Sequence, residues 1–472
     1  MKLRHSLCFI LPWLGLASAA PAANTPRPNI VFIITDDQRA DLLGLAGHPV
    51  AKTPHIDRIG REGAWFKNFF TVTPLCSPSR AMLLTGSHAA RLGITIWSEG
   101  SLQKNTTRRL LQAASRHDLP HTETTLATRL RPAGYLTALV GKWHLGDANH
   151  YPETHGFDVN IGGTHWGAPE TFWWPYRGDK YFTEYRYVPH LEFGKPGEYL
   201  TDRLTDEALH VIDRAAEAGR PFFLFLAHHA PHVPIEAKPA DVKHFEAKLR
   251  PGMRHQNAAY AAMVKSLDES VGRVLDRLRA RGLEENTIVI FASDNGGTTG
   301  IDRKSGQTVR TTINTPLRSG KGSLYEGGIR VPLIVRWPGV AARGAECDEP
   351  VTLADIYPTL LGTGATDGVD LAPLLKNPAA KLDRDALFFH YPHYYGTTTP
   401  AGAVRAGDWK LLEYFEDGRL ELYNLKSDLA EQTDLAAREP GRAAELRARL
   451  ARWRREVGAQ MPKANPAFTP TR

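Results

Sequence analysis

Four stretches of this chain are apolar almost without interruption, and each stops abruptly at polar residues. Asn29-Ile-Val-Phe-Ile-Ile34-Thr35 runs into Asp36-Asp37, and Tyr135–Val140 into Gly141-Lys142-Trp143-His144. Pro221-Phe-Phe-Leu-Phe-Leu226-Ala227 runs into His228-His229-Ala230-Pro231-His232, and Thr287-Ile-Val-Ile-Phe291-Ala292-Ser293 into Asp294-Asn295. Short runs rich in β-branched and aromatic residues, with no polar alternation, predict parallel strands buried on both faces. Between them the spacing becomes helical. Helices are predicted over 53–63, 124–132, 200–218 and 257–281, the last with Tyr260, Met263, Val264, Leu267, Val271, Val274, Leu275 and Leu278 on one face. Strands are also predicted over 65–72 and 331–335, and a helix over 352–361.

After about residue 375 the rhythm changes. Short alternating segments at 386–391, 403–415 and 420–425 predict strands of a small antiparallel sheet, followed by a helix over 440–457. The fold class is therefore α/β, a large and mostly parallel sheet sandwiched by helices, with a smaller C-terminal antiparallel sheet and helix.

Composition adds compartment and class. With 472 residues, 42% hydrophobic and 23% charged, the chain is an ordinary globular protein. A net charge of +7 suits an anionic ligand but is too small to point to nucleic acid. The first residues read as a secretory signal: Lys2, Arg4 and His5, a short apolar run from Leu7 to Leu16, then Ala17-Ser18-Ala19. The expected organisation is a leader at 1–23, a catalytic α/β domain at 24–375 and an α+β subdomain at 376–472, in a periplasmic or secreted protein. Nothing later approaches membrane-spanning length, so no membrane anchor is expected. Of three cysteines, Cys8 leaves with the leader; Cys76 and Cys347 remain, and a disulfide between them is one possibility.

Three loci carry candidate chemistry. Asp36-Asp37 and Asp294-Asn295 end separate apolar strands, and ligands of open α/β sheets gather beyond the carboxyl ends of strands. If those strands are neighbours, the four side chains converge on one hard cation, Ca²⁺ with Mg²⁺ as runner-up. His228, His229 and His232 fit no common zinc spacing. The aromatic-rich segment 151–193, with Trp166, Trp173, Trp174, Tyr176, Tyr181, Tyr185 and Tyr187, reads either as a satellite core or as a platform for sugar rings. The arginines of the last helix read as a solvated face, and the basic stretch holding Lys104, Arg108, Arg109 and Arg116 as a solvated loop. The string from His390 to Tyr395 is a candidate for reaching the cleft.

Cys76-Ser77-Pro78-Ser79-Arg80, continuing to Leu84-Thr85-Gly86, resembles the signature of type I sulfatases. So do Asp36-Asp37-Gln38-Arg39, Gly141-Lys142-Trp143-His144-Leu145-Gly146, Ala230-Pro231-His232 and Gly320-Lys321 with Tyr325-Glu326-Gly327-Gly328, in family order from about 29 to 435. The resemblance is to arylsulfatase-like enzymes of the bacterial polysaccharide type, and it implies an alkaline-phosphatase-like superfold. It also implies that Cys76 is oxidised to formylglycine by a formylglycine-generating or anaerobic sulfatase-maturating enzyme, and that its hydrate is the nucleophile. Asp36, Asp37, Asp294, Asn295 and the modified Cys76 would bind the metal. Asp294 would serve as base, Arg80 and Lys142 would hold the nucleophile, His232 and Lys321 would assist the leaving group, and His144 would deprotonate the second hydroxyl. The implied substrate is a sulfated glycan or other sulfate ester. Two alternatives stay open: a phosphomonoesterase or phosphodiesterase on the same superfold, and a non-catalytic binder of sulfated glycans if Cys76 remains a thiol.

Overall fold

The structure, a computed structural model, describes residues 27–469 other than 49, 51, 104–106 and 363–365. The leader read at 1–23, Cys8 and Lys104 lie outside the described residues. The main sheet is built from β1 (Asn29–Thr35), β2 (Ala64–Phe70), β3 (Leu136–Gly141), β4 (Val159–Ile161), β5 (Phe222–Ala227), β6 (Thr287–Ser293), β7 (Arg330–Arg336), β8 (Ala345–Cys347) and β9 (Val351–Thr352). Their order is β8-β2-β7-β6-β1-β5-β3-β4, with β9 also on β2. β6, β1, β5, β3 and β4 are mutually parallel, whereas β7 runs antiparallel to both its neighbours.

All seven residues of β1 are buried because the sheet is covered twice. Ile30, Phe32 and Ile34 face one core, Val31 and Ile33 the other. On the second face lie α1 (Pro54–Glu62), α3 (Leu200–Glu217) and α4 (Ala258–Ala280), contributing Ile56, Leu204 and Leu267 among others. The first face is covered by α2 (Cys76–Thr85), whose ten residues are all buried, and by the C-terminal sheet. Helix α2 stops where Gly86 takes φ 70° and donates its N–H to the Met82 carbonyl at 2.8 Å.

The C-terminal sheet is antiparallel in the order β10 (Leu387–Tyr391), β11 (Ala401–Ala406), β12 (Trp409–Tyr414), β13 (Leu420–Asn424). Helix α5 (Pro440–Glu456) lays Leu446, Leu450 and Trp453 on Val404, Leu411 and Leu422. Three expectations need correction. The segment 403–415 is not one strand but a hairpin, folding back at Gly407-Asp408 between the paired Ala406 and Trp409. Gly407 sits at φ 57°, the conformation a two-residue hairpin loop demands and glycine supplies. The basic stretch is also not all loop: Leu110–Leu111 pairs with Lys463–Ala464, fastening the chain's far end to the main domain. The 352–361 segment opens as a 3₁₀ turn at Leu353–Asp355 before becoming α-helical over Ile356–Leu361.

Candidate active site

The parallel strands β3, β5, β1 and β6 are adjacent and point the same way, so their carboxyl ends share one edge of the sheet. Asp36-Asp37 follows β1, Lys142 and His144 follow β3, His229 and His232 follow β5, and Asp294-Asn295 follows β6. Asp37 and His144 both adopt φ 63°, an uncommon backbone state for side-chain-bearing residues. At Asp37 the turn is fixed by its own N–H, which donates to Asp294 Oδ1 at 3.3 Å, and by Tyr260, whose hydroxyl donates to the Asp37 carbonyl at 3.0 Å.

Three carboxylates meet three cations here. Lys142 Nζ donates to Asp36 Oδ2 at 2.6 Å, Lys321 Nζ to Asp37 Oδ1 at 2.7 Å, and Arg80 Nε to Asp294 Oδ2 at 3.0 Å. Burial alone would raise the Asp37 carboxyl, but Lys321 and His232 beside it hold it well below the usual carboxylate range. Asp294 goes the other way: burial and the neighbouring Asp36 raise it against the pull of Arg80. Burial opposes the charge on Lys321, yet Asp37 keeps that amine firmly protonated.

Cys76 begins α2 and points into this cluster. Its thiol donates to Asp36 Oδ1 at 3.3 Å and accepts from Lys321 Nζ at 3.5 Å. Cys76 and Cys347 are both free thiols, so the disulfide possibility falls: Cys347 is on the edge strand β8. Burial and Asp36 push the Cys76 thiol far up, so as a thiol it is not a nucleophile at neutral pH. One ligand atom from each of Asp36, Asp37, Cys76 and His232 lies within 4.8 Å of the others. Asn295 completes the set: its Nδ2 donates to Asp37 Oδ1 at 2.7 Å, while its buried Oδ1 has no donor. Carboxylate and amide oxygens with one unsatisfied acceptor are the donor set of a hard divalent cation.

A model of the sulfatase family matches residues 28–365, and one of the N-sulphoglucosamine sulphohydrolase C-terminal domain matches residues 320–456. The chain belongs to the sulfatase family. It is 32% identical to a sulfatase of Formosa agariphila over 91% of this chain and 88% of that one. It is also 32% identical to the N-acetylgalactosamine-6-sulfatase of Canis lupus familiaris, over 85% of this chain and 76% of the relative. The crystal structure of Ps i-CgsB in complex with k-i-k-neocarrahexaose superposes with a TM-score of 0.72, at 28% identity and over 94% of both chains. The chain is thus an enzyme that hydrolyses sulfate esters.

In this sulfatase Cys76 opens into a cavity of about 290 Å³, lined also by His144, His232, Lys321, Trp97, Glu99, Phe182, Arg186 and Tyr395. Both ring nitrogens of His144 are buried with no hydrogen-bond partner, and the same holds for His229. Burial and the cations Lys142, Arg80 and Lys321 press the His144 imidazole well below its usual value, so it is neutral. The ring fits only because residue 167 is glycine: a Cβ there would stand 2.3 Å from His144 Cε1. His232 is lowered to about 3 by burial and Lys321, with Asp37 opposing.

Every site residue singled out from sequence reaches this edge of the sheet. Several others were invisible there. Thr298 donates to Asp37 Oδ2 at 2.7 Å, and Ser77 donates to the His144 carbonyl at 2.8 Å. Trp97 and Glu99 come from a short helix with no chemical pattern of its own. The aromatic segment divides. Trp173 and Trp174 pack against the core, Trp173 on Tyr199, and do not line the cavity, which corrects the platform reading for that pair. Phe182 and Arg186 from the same segment do line it, and Tyr395 from the 390–395 string joins them.

A second histidine group, His121, His150 and His155, also brings nitrogens together. Its geometry is wrong for coordination. His121 and His150 stack with rings 6° from parallel and 4.4 Å apart, so their in-plane lone pairs do not converge. Both His155 nitrogens are taken up by hydrogen bonds.

Proposed function

We propose that this sulfatase removes sulfate from a sulfated saccharide, using Cys76 oxidised to formylglycine and one divalent cation, Ca²⁺ in preference to Mg²⁺. The observation that carries this is the position of Cys76: a buried side chain at a helix start, touching Asp36 and Lys321 within a set of hard oxygen ligands that leaves Asn295 Oδ1 unsatisfied. The saccharide class is supported by the names of the canine relative and the neocarrahexaose complex.

Asp36, Asp37, Asp294 and Asn295 would hold the cation, which supplies positive charge to the nucleophile and to the sulfate oxygens. The aldehyde hydrate made from Cys76 supplies one hydroxyl to attack sulfur and a second to expel sulfate afterwards. The protein's own groups then divide the proton work. Asp294, raised by burial, accepts the proton of the attacking hydroxyl. Arg80 and Lys142 keep the carboxylates in place through their bonds to Asp294 and Asp36. Neutral, unpartnered His144 serves as base for the second hydroxyl. Lys321, held protonated by Asp37, stands ready for the leaving oxygen. His232 starts neutral, and an anionic sulfate beside it favours its imidazolium form.

Formylglycine at position 76 requires a maturating enzyme as partner, and the leader read at 1–23 would make this an exported protein, periplasmic or secreted. Peptide mass spectrometry across residues 76–80 tests the modification: formylglycine is about 18 Da lighter than cysteine. Sulfate release from a sulfated monosaccharide panel, with and without chelator, tests the rest. A fully unmodified Cys76 in a preparation that turns over sulfate esters would refute the nucleophile.

A further inference from the structure

The cavity is lined by the cation-rich cluster around Cys76 and also by Arg186 and Glu99, which form no direct ion pair with each other.

Arg186 is a largely buried charge: burial opposes its charged form, and Glu99 and Glu184 support it without using up its hydrogen-bonding capacity. Its side chain is 12% exposed. Its one carboxylate neighbour within ion-pair range among the described residues is Glu184, 3.6 Å away and itself 55% exposed. Its Nε is buried and has no acceptor. Aromatic faces hold the guanidinium: Phe182 at 3.4 Å and Trp166 at 4.9 Å from ring centroid to Cζ. Glu99 is its counterpart, with a buried Oε2 that has no donor. A guanidinium packed between rings has little freedom left to lose on binding, and its planar fork suits a carboxylate or sulfate. Polar atoms left unpaired inside the chain and lining a cavity are available to a ligand that satisfies both.

We propose that Arg186 and Glu99 form a sugar subsite selecting a saccharide that carries a second anionic substituent, a sulfate or a carboxylate, besides the ester that is cleaved. Arg186 binds that second anion, and Glu99 accepts a hydrogen bond from a neighbouring hydroxyl of the ring. The cavity's volume lies at the lower end of small-molecule sites, about 300–1,000 Å³, which suits one ring entering at a time. This inference rests on the sulfated-saccharide reading above.

The test compares substrate pairs that share one sulfate and differ by one anion. N-acetylgalactosamine 6-sulfate is paired with its 4,6-disulfate, and glucosamine 6-sulfate with the 2-N,6-O-disulfate. A hexose 2-sulfate is paired with the corresponding uronate 2-sulfate, which separates carboxylate from sulfate recognition. Wild-type enzyme is expected to prefer the dianionic member of at least one pair. In Arg186→Gln the ratio of kcat/KM within that pair should fall roughly 10–100-fold, the worth of a hydrogen-bonded charge, and Arg186→Lys should lie between. A purely structural role would lower both members together. An unchanged ratio in folded Arg186→Gln, checked by its melting curve, or a wild type without preference in every pair, overturns the subsite while leaving the sulfatase reading intact. Failure of wild-type enzyme bearing formylglycine to act on any sulfated sugar, while it hydrolyses 4-nitrophenyl sulfate, overturns the saccharide reading and the subsite with it.

Discussion

Two of the buried charge clusters among the described residues are built on opposite plans. At the seam between the main sheet and the C-terminal sheet, Lys410 Nζ donates to Glu326 Oε1 at 2.9 Å and to Glu431 Oε1 at 2.8 Å. Arg330 Nε donates to Glu326 Oε2 at 2.9 Å, and the Glu326 N–H to Glu431 Oε2 at 2.7 Å. Each carboxylate oxygen of the pair has a partner. At the carboxyl ends of the main strands the charges are just as deeply buried, yet His144, His229 and Asn295 keep polar atoms with none. Burial and charge therefore do not distinguish a site from a strut. Between the carboxylates of these two clusters, what does is whether the hydrogen-bonding capacity is used up internally or left over for something that arrives, although His390 Nδ1 and one Arg405 nitrogen near the seam also lack partners.

That contrast can be broken by variants that should separate activity from stability in opposite directions. The largest effect belongs to Cys76→Ala. It should lower sulfate release by at least roughly four orders of magnitude, since the nucleophile is lost and the residual rate comes from binding and electrostatics alone. Its melting temperature should barely move, because a thiol is a weak donor and a weak acceptor in its contacts with Asp36 and Lys321. A Cys76→Ala enzyme with more than a few per cent of wild-type turnover would remove the proposed chemistry. Next comes His144→Asn. A general base is worth about 10²–10⁴-fold, whereas a ring that makes no hydrogen bond contributes little polar stability. A large stability loss with turnover preserved would invert the assignment.

At the seam the expectation reverses. Lys410→Met leaves two buried carboxylates facing each other and should cost about 3–5 kcal/mol, read from denaturant unfolding. Sulfate release per folded molecule should stay near wild type. Adding Glu431→Gln to Lys410→Met should recover part of the loss, because the penalty lies in the unpaired charge. If the single variant were as stable as wild type but inactive, the seam would be part of the site.

How much of this was legible beforehand follows the same division. The strands ending at Asp36, Lys142, His232 and Asp294 could be read because double burial writes itself as uninterrupted apolar sequence. The site residues at those ends stood beside that signal. The hairpin at Gly407-Asp408 was carried by a two-residue loop inside a longer apolar stretch, and the edge pairing of Leu110–Leu111 with Lys463–Ala464 depends on a contact over 350 residues apart. Local pattern holds no record of such pairings. Trp173 and Trp174 look in sequence like Phe182 and Arg186, since the same aromatic density serves a core or a cavity wall; only the path of the chain assigns them. Thr298 sits in a loop and Glu99 in a single helical turn, and nothing near them in sequence announces that one meets Asp37 and the other lines the cavity.

The smallest effect concerns pH and sharpens the contrast from the seam side. His390, on β10, is fully buried; its Nε2 pairs with the Gln460 carbonyl at 2.9 Å. Burial lowers its imidazole to about 3, the Gln460 carbonyl opposing and Arg454 and His88 adding to the shift. An unfolded histidine titrates near 6.5. The unfolded chain therefore binds the extra proton first as pH falls, so the neutral ring's contribution is complete above about 6.5 and is lost between there and about 3. Between pH 7 and pH 5 this one group should remove about 2 kcal/mol of stability. His390→Gln, which does not titrate, should be less stable than wild type at pH 7 but should lose correspondingly less on acidification. Parallel stability-versus-pH curves for the two proteins would mean that His390 takes up a proton as readily in the folded chain as in the unfolded one, so that burial at the seam does not hold it neutral.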